Sequence, residues 1–415
     1  MRIWLICQNN SLPEHGHFNR WFNFAKQLKQ QGHEPTLFFG SNPHNTNIQL
    51  VDKGKLVCIN DYGFDVIYIK TMVYNGSMLK RIFAMWQFVK NCKAVAKKYA
   101  KTNSVPDVII GSSSHPFNVT LALKLAKKYK CKGICEIRDL WPESIVTYGV
   151  ASVNNPIVKW LYKVEKKMYT KADKIIFTMA GGKQYIIDKK MDTAHGGPID
   201  LKKIHYINNG VDLEEFNYNM KHYTFEDTEL NNDRLFKVVY TGSLRKANNL
   251  DFVLDVAKNL KDSNKNVVFL IYGSGNYLES LVERIKKENI NNVIFKGKIE
   301  KKYIPYVLSK CNMSLLVYRE SNTQKYGGSQ NKLFEYLTAG LPVISNIEEG
   351  FSVMSLSDVG LVSKDFNIVS QYISNLQNNN KEYKKISNNA KKLSQEFDFK
   401  SLTKKLINAI VEEKK

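Results

Sequence analysis

The stretch richest in possible chemistry is Tyr326-Gly327-Gly328-Ser329-Gln330-Asn331-Lys332-Leu333-Phe334-Glu335, a glycine loop that runs into a helix pattern. That pattern stops at Gly340 and passes directly into an apolar strand. A helix start presents unpaired backbone N–H groups and about half a positive charge, so it attracts anions. Lys332 in the first turn is electrostatically misplaced unless an anion sits beside it. Glu335, one turn on, is a two-oxygen acceptor that can take both hydroxyls of a ribose diol. A surface lysine and glutamate on an amphipathic helix is the plainer alternative.

Other loops carry related signals. In Tyr240-Thr241-Gly242-Ser243-Leu244-Arg245-Lys246 a glycine followed by two cations suits a diphosphate. Gly273, in Tyr272-Gly273-Ser274-Gly275, repeats the layout, although a lone G-x-G can be only a tight turn. Near the N-terminus, His15-Gly16 and Arg20 surround a helix start where backbone amides could meet a phosphate. Gly111-Ser112-Ser113-Ser114-His115-Pro116 offers hydroxyls and one imidazole, the hydroxyls also being explicable as helix caps. His115 is a candidate sugar or acceptor contact. Glu136-Ile137-Arg138-Asp139-Leu140-Trp141-Pro142-Glu143-Ser144 is denser still. Its charges are costly to bury unless paired, and an Arg138–Asp139 or Arg138–Glu136 ion pair bracing the loop is the alternative to a role in a site.

These loops need elements to hold them. Short apolar runs at 2–7, 35–39, 65–69, 107–110, 133–137 and 174–178 alternate with helical patterns, and the series resumes at 237–240, 267–272, 293–296, 314–317 and 342–345. Helix-length segments lie at 19–31, 117–129, 250–260 and 277–288. Continuous apolar strands separated by helices indicate buried parallel sheets, whose ligands sit beyond the carboxyl ends of the strands. A polar stretch at 209–234 breaks the series, so a domain boundary belongs there. A chain of 415 residues is long enough for two such α/β domains. The tail from 381 to 415 reads as helix, with Leu393, Phe397, Leu402, Leu406 and Ile410 as its apolar stripe.

No apolar run approaches the ~18–20 residues that span a bilayer, and the N-terminus lacks a signal-peptide layout, so a cytoplasmic chain is expected. The six cysteines are scattered without zinc spacing and read as reduced thiols. A net charge of +22 asks for an acidic partner: nucleic acid, an anionic membrane or a phosphate-bearing substrate. Nucleic acid is disfavoured, because no recognition module or aromatic–basic repeat is present. The segment from Lys80 to Lys101 reads as an amphipathic helix, with Ile82, Met85, Val89, Cys92 and Ala96 on one face and Lys90, Lys93, Lys97 and Lys101 on another. It is the candidate contact to an anionic membrane, at about 1 kcal/mol per lysine, or else a core-packed helix with a solvated lysine face.

The residues from Tyr326 to Ile344, with Asn208-Asn209-Gly210-Val211-Asp212 before them, resemble the retaining glycosyltransferases of family 4. The glycine loop after the first strand, Gly32-His33-Glu34 and Val293-Ile294-Phe295-Lys296-Gly297 follow the same chain order. Arg138-Asp139-Leu140-Trp141-Pro142-Glu143-Ser144 is similar to a subgroup that builds bacterial capsule and O-antigen units, often from N-acetylated deoxyamino sugars. The resemblance implies a GT-B fold, two Rossmann-like parallel-sheet α/β domains facing across a cleft. It places an acceptor-binding domain at 1–208, a nucleotide-sugar-binding domain at 209–395 and a helix returning to the first domain at 396–415. Glu335 would bind the donor ribose, and Ser329, Asn331, Lys332 and Leu333 would surround the diphosphate. Ile299 would meet the base through its backbone. Gly16, Gly242, Ser243, Arg245, Lys246 and Gly273 complete the expected donor set. Asp139, Arg138 and His115 are the candidate catalytic residues, and His15, Arg20 and Glu143 the candidate acceptor contacts.

The implied reaction moves a sugar, with retention, from a nucleotide-diphosphate donor, expected to be UDP-linked, to a saccharide on a polyprenyl diphosphate. No metal and no cofactor is expected, and the enzyme would sit peripherally on the inner face of the plasma membrane. Three departures from the family pattern stand out. Gly327 occupies the first glutamate position of the E-x7-E motif, Arg138-Asp139 replaces the usual His-Asp, and Ser243 replaces a usual arginine. A nucleotide-sugar 2-epimerase of the same fold, or a non-catalytic sugar-nucleotide sensor, remains the alternative.

Overall fold

The computed structural model describes residues 1–15, 19–43, 46–74 and 76–412. The chain forms two compact units, one of Met1–Asn208 with Phe399–Lys415, the other of Asn209–Asp398.

The first unit is built on eight strands: β1 (Arg2–Cys7), β2 (Glu34–Gly40), β3 (Leu56–Ile59), β4 (Asp65–Ile69), β5 (Val108–Ser112), β6 (Lys132–Ile137), β7 (Lys174–Phe177) and β8 (Ile204–Tyr206). They lie in the order β3-β4-β2-β1-β5-β6-β7-β8, and every pairing is parallel except β3 with β4. Helices α1 (Arg20–Gln30), α2 (Met78–Thr102), α3 (Pro116–Tyr129), α4 (Glu143–Thr147), α5 (Pro156–Lys171) and α6 (Gly182–Asp188) connect them. Successive strand residues point to opposite faces, so one six-residue strand feeds two cores. Ile3, Leu5 and Cys7 of β1 pack with α1, whereas Trp4 and Ile6 pack with Phe88 of α2 and Leu121 of α3. Continuous apolar strands are the result of covering both faces.

In the second unit α7 (Leu213–His222) precedes a six-stranded, all-parallel sheet. Its strands are β9 (Phe236–Thr241), β10 (Val267–Tyr272), β11 (Val293–Gly297), β12 (Met313–Leu316), β13 (Val343–Ser345) and β14 (Gly360–Val362), ordered β11-β10-β9-β12-β13-β14. Helices α8 (Leu250–Leu260), α9 (Leu278–Glu288), α10 (Ile304–Ser309), α11 (Asn331–Ala339), α12 (Phe366–Asn378) and α13 (Asn380–Ser394) complete it. The expectation of two parallel-sheet α/β domains is borne out.

Two details differ from the reading of the sequence. The tail is not one helix: α13 ends at Ser394, Asp398 is extended, and α14 (Phe399–Val411) begins anew. The apolar stripe is therefore divided, Leu393 and Phe397 entering the second unit's core and Leu402, Leu406 and Ile410 the first unit's. Phe399 meets Phe24 of α1 edge-on at 5.2 Å, and Lys132 Nζ donates to Ile410 O at 2.8 Å. The polar stretch at 209–234 also contains the helix α7, capped by Asp212, whose side chain accepts from Glu215 N.

Candidate functional site

In the second unit the unusual residues gather at the carboxyl ends of β9, β10, β11 and β12. Helix α11 is anchored there: Tyr336 OH accepts from Thr241 N at 2.9 Å, at the end of β9. Leu333, Phe334, Tyr336 and Leu337 are buried, leaving Lys332 and Glu335 on the open side. Gln330 supplies no side-chain cap, so the first amides of α11 keep their pull on an anion.

Lys332 carries its ammonium over the Tyr240 ring, 4.0 Å from the centroid. A Cβ added at Gly242 would stand 2.8 Å from Lys332 Nζ, so the glycine makes room for the cation. Burial pushes the Lys332 ammonium down to about 7, against the pull of Glu335. A cation held on an aromatic face with its charge weakened is suited to an incoming anion. The Glu335 side chain is 18% exposed, and its Oε1 lies 3.8 Å from Lys301 Nζ. Burial raises its carboxyl, while Lys301 and Lys332 oppose the shift. Lys301 lies two residues beyond Ile299, which brings that loop beside Glu335.

The neighbouring loops are braced. Ser329 Oγ accepts from Asn209 N at 3.2 Å, and Ser329 O accepts from Asn209 Nδ2 at 2.8 Å. Ser243 O accepts from Tyr240 OH at 2.9 Å and from Asn248 Nδ2 at 2.5 Å. Arg245, Lys246 and Asn331 are exposed. Two expectations need correction. The Leu333 amide already donates to Gln330 O at 3.1 Å and its side chain is core, so it is not a diphosphate donor. Gly273 serves packing rather than phosphate: a Cβ there would collide with Gly242 O, and its N–H donates to Gly297 O at 2.8 Å.

In the first unit, Arg138, Asp139 and His115 sit beyond the ends of β5 and β6. Arg138 N donates to Ser113 Oγ at 3.0 Å, and its Nη1 reaches Cys7 Sγ at 4.0 Å. Asp139 opens to solvent from a crowded position that raises its carboxyl, while Arg138 and Arg81 pull it down. His115 is corrected: the ring is fully buried and Nε2 lies 2.7 Å from Gln8 Oε1, so it is not placed to act on an acceptor. Burial, reinforced by the Arg81 charge, takes its imidazole down to about 3, hence neutral.

Arg20 is corrected as well. Its Nε pairs with Glu136 Oε1 at 2.9 Å, and its Nη1 and Nη2 donate to Asn208 O and Ile207 O at 2.6 and 2.8 Å. Glu136 Oε2 accepts from Trp21 Nε1 at 2.9 Å, so Arg20 is spent on a charge pair inside the unit. Glu143 is engaged by Lys189 Nζ at 2.5 Å and Tyr162 OH at 2.6 Å. The His15 ring lies against that of Tyr68, 5.9 Å between centroids. Gly16 lies outside the described residues. Residues that the sequence did not mark include Tyr240, Lys301, Arg81 and Glu349. Tyr240 looks like an ordinary strand residue, and nothing local ties Lys301 to position 335.

Comparison with known proteins fits this geometry. The model described as Glycosyltransferase Family 4 matches residues 16–215, and that described as Glycosyl transferases group 1 matches residues 224–393. The structure resembles sucrose-phosphate synthase from Thermosynechococcus elongatus, with a TM-score of 0.69 at 14% identity over 98% of this chain and 97% of that one. It also resembles Anabaena HepE in complex with UDP, with a TM-score of 0.67 at 13% identity over 98% of both chains. At such identities the likeness carries the fold. A 2-deoxystreptamine N-acetyl-D-glucosaminyltransferase of Niallia circulans is 30% identical over 114 residues, which is 27% of this chain and only 28% of that relative's length.

Proposed function

We propose, from the premise that the chain is a glycosyltransferase of GT-B fold, that it moves an N-acetylated amino or deoxyamino hexose from a UDP-linked donor to a polyprenyl-diphosphate-linked saccharide, with retention. The observation that carries the donor half is the array of Lys332, Glu335 and Gly242 at the start of α11. The UDP bound by HepE and the N-acetylglucosaminyl group named for the Niallia circulans relative favour UDP and an N-acetylated sugar. In this reading Glu335 takes the ribose hydroxyls, and Lys332 and the helix start face the diphosphate. The bond from the anomeric carbon to the β-phosphate oxygen breaks, and negative charge grows on the leaving diphosphate. Lys332 meets that charge, together with Arg245 and Lys246, which follow Gly242 in the chain. The leaving phosphate takes the acceptor hydroxyl proton, and Asp139 and Arg138 orient the acceptor.

The membrane part of the proposal rests on apolar exposure. Met78, Leu79, Ile82, Phe83 and Trp86 on α2 are exposed, Leu79 by 81%. Ile157 and Trp160 on α5 are exposed too, and the Trp160 ring lies 6.2 Å from Phe117 of α3. Helix α2 has no acidic residue, and the only one on α5, Glu165, is buried. The expected stripe is thereby revised: Met85, Cys92 and Ala96 enter the core while Ile82 faces outward. Apolar side chains ringed by lysines suit an anionic bilayer surface. Among the described residues no helix is long and apolar enough to cross a membrane. Such an enzyme would serve capsule or O-antigen synthesis at the inner face of the plasma membrane.

The test is turnover of UDP-N-acetylglucosamine followed by proton NMR, with and without polyprenyl-diphosphate-linked saccharide. Acceptor-dependent release of UDP with an α-linked product is expected. Epimerised sugar nucleotide formed without acceptor would contradict the transferase reading.

A further inference from the structure

Glu349 follows β13, and its carboxylate lies against the glycine loop that precedes α11. Its Oε1 accepts from Gln330 Nε2 at 3.0 Å and from Tyr318 OH, and the Gly328 amide is a further donor. A Cβ on Gly328 would collide with that oxygen. Position 327 itself disfavours a side chain. Gly327 has φ +87°, and an added Cβ would lie 3.0 Å from Phe351 O and 3.1 Å from Gly350 O. The turn that fills this space is the one that delivers Glu349.

The groups holding the carboxylate are neutral donors: a phenol, an amide side chain and a backbone amide. A mostly enclosed carboxylate needs hydrogen-bond donors, and its two oxygens have about four lone-pair sites. Three are taken, which leaves a place for a hydroxyl. The glycine loop that it touches is the one proposed above to hold the diphosphate, next to which the transferred sugar must lie. We propose that Glu349 binds a hydroxyl of the transferred hexose, supplying from the neighbouring turn the carboxylate that position 327 does not carry. The proposal rests on the donor reading of this loop. It makes Glu349 a specificity residue, favouring a sugar that can donate a hydrogen bond over one lacking that hydroxyl.

Calorimetric titration of UDP-N-acetylglucosamine and of UDP separates this role from bracing. Glu349→Gln, which keeps size and removes charge, is expected to weaken UDP-N-acetylglucosamine by about tenfold and to leave UDP within about twofold. Tyr318→Phe removes one brace without touching the carboxylate and is expected to shift the same ratio by about threefold. It also serves should Glu349→Gln not fold. Equal loss for both ligands would mark Glu349 as a loop brace, and no change for either would remove it from the site; either result overturns the proposal. Wild-type protein that binds neither ligand overturns the donor reading, and this proposal with it.

Discussion

Lys332 holds its ammonium above an aromatic ring, in surroundings that push it down to about 7. A bound diphosphate would restore its charge, so nucleotide binding and proton uptake are coupled. Below pH 7 the free protein already carries the charge. As pH rises through 7 it must first take up a proton, and UDP affinity is expected to fall by up to about tenfold per pH unit. Titrations from pH 7 to 9 check this, and Lys332→Arg should flatten the dependence. A wild-type affinity constant across that range would contradict it. His115 gives a second titration, of stability. Its imidazole is lowered to about 3 when folded and lies near 6.5 when unfolded. The stabilisation is therefore complete above 6.5 and drains away as pH falls from there toward 3, at about 1.4 kcal/mol per unit. All five tryptophans lie in the first unit, so urea unfolding followed by their fluorescence reports it alone. Between pH 7 and pH 5 about 2 kcal/mol should be lost, and His115→Gln should lose less.

At the scale of elements, the glycine loop and α11 were legible because a mid-sequence lysine at a helix start conflicts with the dipole. That conflict is local, so sequence alone exposes it. Contacts between distant segments left no such trace. Glu349 stands 19 residues beyond Gln330, and Arg20 meets Glu136 across the sheet order β1-β5-β6. Arg20 and His115 looked functional by type, and burial assigned them to the interior instead. The same limit applies to α2, where the pattern of apolar residues gave the helix but not which side the neighbouring helix covers. The exposed side now makes a prediction. If Phe83 and Trp86 insert into lipid, each contributes roughly 1.5–3 kcal/mol. The double change Phe83→Ser, Trp86→Ser should then abolish sedimentation with anionic vesicles, whereas loss of one lysine should reduce it only a few-fold. Unaltered sedimentation of the double variant would defeat the membrane reading.

For the whole molecule, the alternation of buried strands with helices was enough to give two parallel-sheet units, because each sheet is covered on both faces. The short edge strands β3, β8 and β14 escaped notice, having too few residues to show a period. The tail misled because two helices with compatible stripes adjoin at Asp398. Helix α14 puts Phe399, Leu402, Leu406 and Ile410 into the first unit's core, and each large apolar side chain lost there costs about 2–5 kcal/mol. A chain ending at Asp398 should lose the cooperative tryptophan transition of the first unit and still bind UDP, because Gly242, Arg245, Lys246, Lys332 and Glu335 all lie in 209–398. Loss of UDP binding in that chain would place part of the donor site elsewhere. The central claim is that Glu335 grips the ribose beside a diphosphate held at the start of α11. Calorimetry of UDP against wild-type protein and Glu335→Ala tests it most directly. Removal of a charged hydrogen bond worth about 1.5–3 kcal/mol should weaken binding by about 10–150-fold. A folded Glu335→Ala protein with wild-type affinity for UDP would contradict it.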